Sequence, residues 1–404
     1  MRSTRVAENS DLPQMLFPGK PSASGACWAR SGLTLVELLV VVGIILMLMA
    51  VVIPRVQPNI EEGRLREAAR GLYVMLGSAR VRAIESGRPV GVAFERLPEQ
   101  PNACRVVHKI ELPPPYAGES VDARVRLTLT PQDTNAPLKA KVSKGAIADG
   151  LIRPGDRIRF GFQGPWYRLA PIPPNPDSNN NGFIDFASGV DSDGDDFYDN
   201  VVLGMLPVIE GATIGSVPWP LFPKFGPPVS FVIERMPNLD AGGFGGALLR
   251  SAEPPLRLPE QVVIDLGFSG LSPGGNEFAV ATPPAPPVLV IFSPGGAVEE
   301  IYCGAGTAAN PFRRLSVTQP IYFLIGRWDR MPLDPANPVS PADDGLLNWQ
   351  DSRNLWVAIQ PQNGLTTVAP VFADATGPGG LAVPSSLEAA RKLAREAQVA
   401  MGGR

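Results

Sequence analysis

The residues best placed to do chemistry are carboxylates. In "DSNNNGFIDFASGVDSDGDDFYDN", which begins at Asp177, the residues Asp177, Asn179, Asn181 and Asp185 fall at positions 1, 3, 5 and 9 of a turn, with Gly182 at position 6. Asp191, Asp193, Asp195 and Asp199 repeat that spacing, although Asp196 stands where the glycine is wanted. Alternate residues of a tight turn can aim oxygens at one centre, and calcium takes about six to eight of them. Position 12 is Ser188 in the first loop and Val202 in the second, so neither supplies the bidentate glutamate of a helix-loop-helix site. Two readings follow: a structural calcium site that orders a long insertion, or a solvated acidic loop. Catalysis finds little support. The single histidine, His108, sits in an alternating strand pattern, and no HExxH or P-loop lysine motif occurs. The chain is expected not to be an enzyme.

A different carboxylate raises a sharper question. In "SGLTLVELLVVVGIILMLMAVVIPRV", Glu37 is the only charged residue of the apolar run from Leu33 to Ile53. As a helix that run reaches roughly 31 Å, enough for a hydrocarbon core of about 30 Å. A buried carboxylate in such a span costs on the order of 2.5 to 3.5 kcal/mol and needs a partner or a function. A secretory signal has a shorter apolar stretch followed by a small-residue cleavage site, whereas here the small residue comes first.

The order glycine, apolar residue, Thr, Leu, any residue, Glu, followed by a long apolar helix, resembles the class III signal of type IV pilins and type II secretion pseudopilins. The resemblance implies cleavage between Gly32 and Leu33 by a prepilin peptidase, which also methylates the new amino terminus. It implies that Glu37 pairs with the α-amino group of a neighbouring subunit during assembly, and that Pro54 sits where these helices often carry proline. The segment "ARVRAIESGRPVGVAF" from Ala79, with "PLRLPEQVVIDL" and "VLVIFSPGGAVEEI" downstream, looks like the H-type minor pseudopilins and FimT-like minor pilins. The function so implied is a minor pseudopilin of a type II secretion pseudopilus, involved in protein export. The alternatives are a minor pilin of a type IV pilus and a calcium-stabilised, surface-displayed adhesin. The partners implied are the membrane, the peptidase and other pilin-like subunits. The place implied is the inner (cytoplasmic) membrane, single-pass, with the globular domain on the periplasmic or extracytoplasmic side. There Cys104 and Cys303 would meet an oxidising compartment, as a disulfide or as two separately buried thiols.

Composition fits this outline. With Pro 45, Gly 42 and 7% aromatic residues in 404, the chain reads as β-structure with many turns. A net charge of −3 argues against nucleic acid as a partner. Five segments are expected: a leader at 1–32, a transmembrane helix at 33–53, its amphipathic continuation at 54–88, a β-rich domain at 89–384 with an acidic insertion at 170–228, and a short helix and tail at 385–404. The class is α+β, pilin-like: a long transmembrane and amphipathic helix followed by antiparallel sheet with long loops.

The helix should bend or break near Pro54 to Pro58, restart with Asn59 and Glu62 as a capping pair, and bury Leu65, Ala69, Leu72, Leu76, Ala79 and Ala83. It should stop at Gly87. Strands are predicted from Val90, Cys104, Ala123, Arg157, Val229, Gln261, Pro287, Ile321 and Leu355, the last turning at Asn363-Gly364. Ser385 and Glu388 should cap the final helix, with Arg391, Lys392 and Arg395 on a solvated face.

Overall fold

The computed structural model describes residues 34–129, 138–162, 164–170, 184–186, 189–207, 225–235, 251–281, 285–304, 313–315, 317–332, 334 and 338–401. Two units divide the chain, Met1–Gln57 and Pro58–Arg404. Helix α1 spans Leu35–Ser86 and is not broken at Pro54 or Pro58, so Asn59 is no cap. It ends where Gly87 takes a left-handed φ of 62°, open to a residue without a β-carbon.

In the second unit the described strands of the two larger sheets are β1 (Val90–Arg96), β2 (Ala103–Glu111), β3 (Val125–Leu129), β4 (Leu138–Ser143), β5 (Arg157–Phe160), β6 (Tyr167–Leu169), β7 (Phe197–Pro207), β8 (Phe231–Glu234), β9 (Leu256–Arg257), β10 (Val262–Leu271), β11 (Val288–Phe292), β12 (Val298–Cys303), β13 (Arg313–Leu315), β14 (Ile321–Arg327), β15 (Leu355–Ile359) and β16 (Thr366–Pro370). Every pairing among them is antiparallel.

The main sheet runs β13-β12-β11-β1-β2-β10-β14-β15-β16, with β9 on β2. Leu65, Ala69, Leu72, Leu76, Ala79 and Ala83 recur at three and four residues, so they form one stripe, and all are buried against inward residues of this sheet. The sheet wraps far enough that Phe94 of β1 stacks on Phe323 of β14 at 4.2 Å. Arg80 ties both arms: its Nε donates to Asn363 O at 2.8 Å in the β15–β16 turn and to Gly296 O at 3.3 Å in the β11–β12 turn. Gly364 is obligatory there, since a β-carbon would come within 2.1 Å of Gly296 O. On the outer face, α2 (Leu387–Ala390) and α3 (Lys392–Ala400) cover β14 to β16 around Tyr322, Trp356 and Ala358.

Between β2 and β9 lies a second body with its own core. Its six strands run β3-β4-β7-β6-β5-β8, and backbone bonds Val125 N to Val229 O (2.9 Å) and Val229 N to Val125 O (2.8 Å) close the sheet into a barrel. Inward Val125, Leu127, Ala140, Ile158, Phe160, Leu203 and Phe231 fill it.

Several expectations are corrected. The architecture is mostly antiparallel β-sheet, in place of an α+β fold entered through a transmembrane helix. Among the described residues no helix is long and apolar enough to cross a membrane, so the transmembrane span at 33–53 and the single-pass inner-membrane placement are both withdrawn. Within the acidic stretch expected at 170–228, Phe197–Pro207 forms β7 of the inserted barrel. The final helix is capped by Ser386, whose Oγ accepts from Ala389 N at 3.1 Å; Ser385 bonds Asp374 instead. Arg391 is fully buried and lies on no solvated face.

Candidate functional site

Two regions carry the sequence-derived candidates. The first is the start of α1. Thr34 opens the helix, accepting Glu37 N on Oγ1 at 3.3 Å and Leu38 N on its carbonyl at 3.1 Å. From Leu35 to Met49 the apolar side chains are exposed on every side, Leu35 at 80% and Met47 at 75% among them, with Glu37 the one carboxylate. Covering a Leu, Val, Ile or Met side chain yields about 1.5 to 3 kcal/mol each, so this surface has a strong tendency to associate. Gly32 and Leu33, the cleavage pair, lie outside the described residues.

The second is the turn that leads into β7. Asp191 organises it: its carboxylate accepts the backbone N–H of Gly194 at 2.8 Å and those of Asp195 and Asp196 at 3.2 Å. Gly194 and Asp196 take φ of 75° and 65° to bring those groups round. Asp191, Asp193 and Asp195 each offer an oxygen within 4.8 Å of the others, as the 1, 3, 5 spacing requires. Asp199 does not join them. Its Oδ2 accepts Ser192 N at 2.8 Å and its Oδ1 pairs with Lys141, which holds the Asp199 carboxyl below its ordinary range and raises Lys141. Asp195 in turn pairs with Arg126, whose guanidinium lies 4.3 Å over the Phe197 ring. Three carboxylates fit a hard cation in kind but supply only part of the about six to eight oxygens calcium takes. In the first loop Asp177, Asn179 and Asn181 lie outside the described residues, and Asp185 is buried apart from this cluster.

The disulfide is corrected: Cys104 and Cys303 are free, buried thiols. They sit on β2 and β12, with β1 and β11 between. That is three strand spacings of about 4.8 Å along the sheet, against a Cα separation of at most about 7 Å for a disulfide. Burial pushes Cys104 up to about 12 and Cys303 up to about 11, so neither is a nucleophile at neutral pH. His108 Nε2 lies 3.0 Å from Glu95 Oε1 on the neighbouring strand, a cross-strand pair with no nucleophile in it.

Sequence reasoning missed the junction between barrel and main sheet. Buried Glu300 on β12 accepts Arg157 Nη2 of β5 at 2.7 Å and also Arg314 and Tyr302 Oη, while Arg157 meets Glu234 of β8 at 2.7 Å. Burial raises the Glu234 carboxyl, and burial beside Glu300 drives Tyr302 well above its usual value. No spacing in the sequence marks these residues, because they come from four strands far apart in the chain. In comparisons with known proteins no family model matches the chain, no curated protein matches it, and no solved structure matches it.

Proposed function

We propose that the chain is a non-enzymatic filament subunit of the pilin type, a minor pseudopilin of a type II secretion pseudopilus. The observation that carries this reading is the contrast within α1. Leu65 to Ala83 bury a stripe in the chain's own sheet, whereas Leu35 to Met49 offer apolar side chains on all sides to other helices. A helix that is apolar all round belongs inside something. A bundle of like helices supplies that, and in it Glu37 would face the α-amino group that cleavage after Gly32 creates at Leu33, compensating both charges. The pilus and adhesin readings share this assembly chemistry and differ in what the barrel does.

Intact-mass and amino-terminal analysis of the chain from cells with and without prepilin peptidase tests the proposal. A chain starting at N-methyl-Leu33 only when the peptidase is present supports it, and an unprocessed chain in both overturns it. Glu37→Ala should still be cleaved but enter filaments poorly. The same reading gives the turn at Asp191, Asp193 and Asp195 a structural calcium ion, which would relieve repulsion among the three carboxylates.

A further inference from the structure

The two ends of the barrel carry opposite chemistry. β7 joins them, from Phe197 beside the acidic turn to Pro207, a distance of about 33 Å at about 3.3 Å per residue. At the first end Asp195 and Asp199 are spent on Arg126 and Lys141, but Asp193 and Asp196 are exposed and meet no Lys or Arg among the described residues.

At the other end is the β5–β6 hairpin, whose tip lies beyond Pro207 because Tyr167 pairs with that residue. Ile158 and Phe160 point into the core, so Arg157 and Arg159 face out, and Arg168 opposite Arg157 faces out with them. Trp166 lies under this group, with the Arg159 guanidinium at 4.5 Å from its ring and that of Arg157 at 5.6 Å. Phe162, at the tip, is 55% exposed and holds a φ of 58°, a conformation bulky side chains rarely adopt. Arg157 is committed to Glu234 and Glu300. Arg159 and Arg168 meet no carboxylate among the described residues, and Arg159 Nε is shut from solvent with no acceptor.

We propose that this hairpin is a docking surface for the acidic turn of a second copy of the chain. The guanidiniums of Arg159 and Arg168 would take the carboxylates of Asp196 and, in the calcium-free turn, of Asp193, with Phe162 and Trp166 as the apolar rim. Charge complementarity selects the occupant. One chain cannot satisfy itself, since its two patches lie at opposite ends of the same barrel. Two different patches make a heterologous contact, which repeats from copy to copy instead of closing on itself. The contact uses no residue of α1 and stands apart from the helix-bundle reading.

The test is concentration-dependent sedimentation of the full chain in a mild detergent that covers Leu35 to Met49, at low and high salt. Salt should weaken self-association. Arg159→Glu/Arg168→Glu and Asp193→Lys/Asp196→Lys should each weaken it by at least about tenfold, because like charges then face each other. An equimolar mixture of the two double variants should restore it, since every hairpin in the mixture again finds a turn of opposite sign. Glu37→Ala should leave it unchanged, which separates this contact from helix assembly. Wild-type association in either double variant, or no recovery on mixing, overturns the proposal. So does a monomeric wild type whose hairpin retains polygalacturonate through Arg159 and Arg168, which would assign the surface to an acidic polysaccharide.

Discussion

Replacing Arg391 by alanine should free the C-terminal helices from the outer face of the main sheet. Arg391 joins α2 to α3 and is wholly enclosed. Nη1 donates to Ser272 O at 2.6 Å, and Nη2 donates to Phe268 O and Gly275 O, both at 2.8 Å. The guanidinium lies 4.8 Å from the Tyr322 ring and 4.7 Å from the Trp356 ring. Burial lowers its pKa to about 10, with Tyr322 and Glu277 opposing the shift, so it stays a cation at neutral pH.

Alanine removes all of these contacts at once. A buried carbonyl left without a donor costs about 1 to 3 kcal/mol, and desolvated cation–π contacts are worth about 2 kcal/mol. Relaxation will rewet part of the gap, so the net loss should be on the order of 3 to 5 kcal/mol. Lysine keeps the charge but loses the planar fork and should recover less than half of it. Hydrogen exchange followed by mass spectrometry is the suitable assay, because a chain with two β bodies need not unfold in one step. Peptides covering α2, α3 and β16 should lose protection in Arg391→Ala while those of β3 to β8 keep theirs. Arg391→Met is the sharp control: a neutral side chain of similar length that protects α3 as well as arginine would refute the reasoning, since desolvation would then cancel the hydrogen bonds.

Four further outcomes are expected. Asp265 is fully enclosed, and burial raises its carboxyl from 3.8 to about 6 against hydrogen bonds from Asn348, Gly267 and Phe268. An acid whose folded pKa is raised favours the fold below the unfolded value and loses that contribution as pH rises through about 6. The loss is on the order of 3 kcal/mol, and chemical denaturation of wild type against Asp265→Asn between pH 4 and 7 should show it only in the wild type. Calorimetric titration with millimolar calcium should give heat that vanishes in Asp191→Ala/Asp193→Ala, and no heat in the wild type would leave a solvated acidic turn. Iodoacetamide at neutral pH should spare Cys104 and Cys303 in the folded chain and label both after unfolding, with mobility unaffected by reductant. Leu72→Ala, at the centre of the α1 stripe, should cost about 2 to 5 kcal/mol in the denaturant midpoint of the main sheet.

What the sequence made legible was local. The stripe from Leu65 to Ala83 could be read because helical periodicity is written in neighbouring residues. β1, β10 and β14 could be read because β-branched runs are bounded by turn residues. Asn363-Gly364 marked its turn for the same reason. β7 was hidden inside what reads as an acidic loop, since its first residues, "FYDN", carry the polarity of the turn before them. Arg391 looked like a solvated base because its neighbours Lys392 and Arg395 share its charge; only the rings of Tyr322 and Trp356, contributed by distant strands, reveal that it is enclosed. Of the candidate sites, the 1, 3, 5 carboxylates converge as their spacing requires. Asp199 departs because Lys141 on β4, which no local pattern connects to it, claims its oxygen.

The route of the chain into and out of the barrel has a consequence for folding and for change over time. It leaves the main sheet at the end of β2 and comes back at β9, which pairs with β2 at Val107 and Leu256. Directly opposed residues of an antiparallel ladder are only about 4.5 to 5.5 Å apart, so to the main sheet the whole barrel is a loop with its ends already closed. Closure entropy grows by only about 0.6 kcal/mol for each doubling of such a loop. A lineage could therefore lengthen, shorten or exchange what hangs from β2 and β9 while the helix and the sheet around it kept their own pairings, at the cost of the bond from Arg157 to Glu300. Within one molecule, the barrel can complete its own hydrogen-bonded ring during synthesis, before β10 to β16 exist to finish the sheet that carries it.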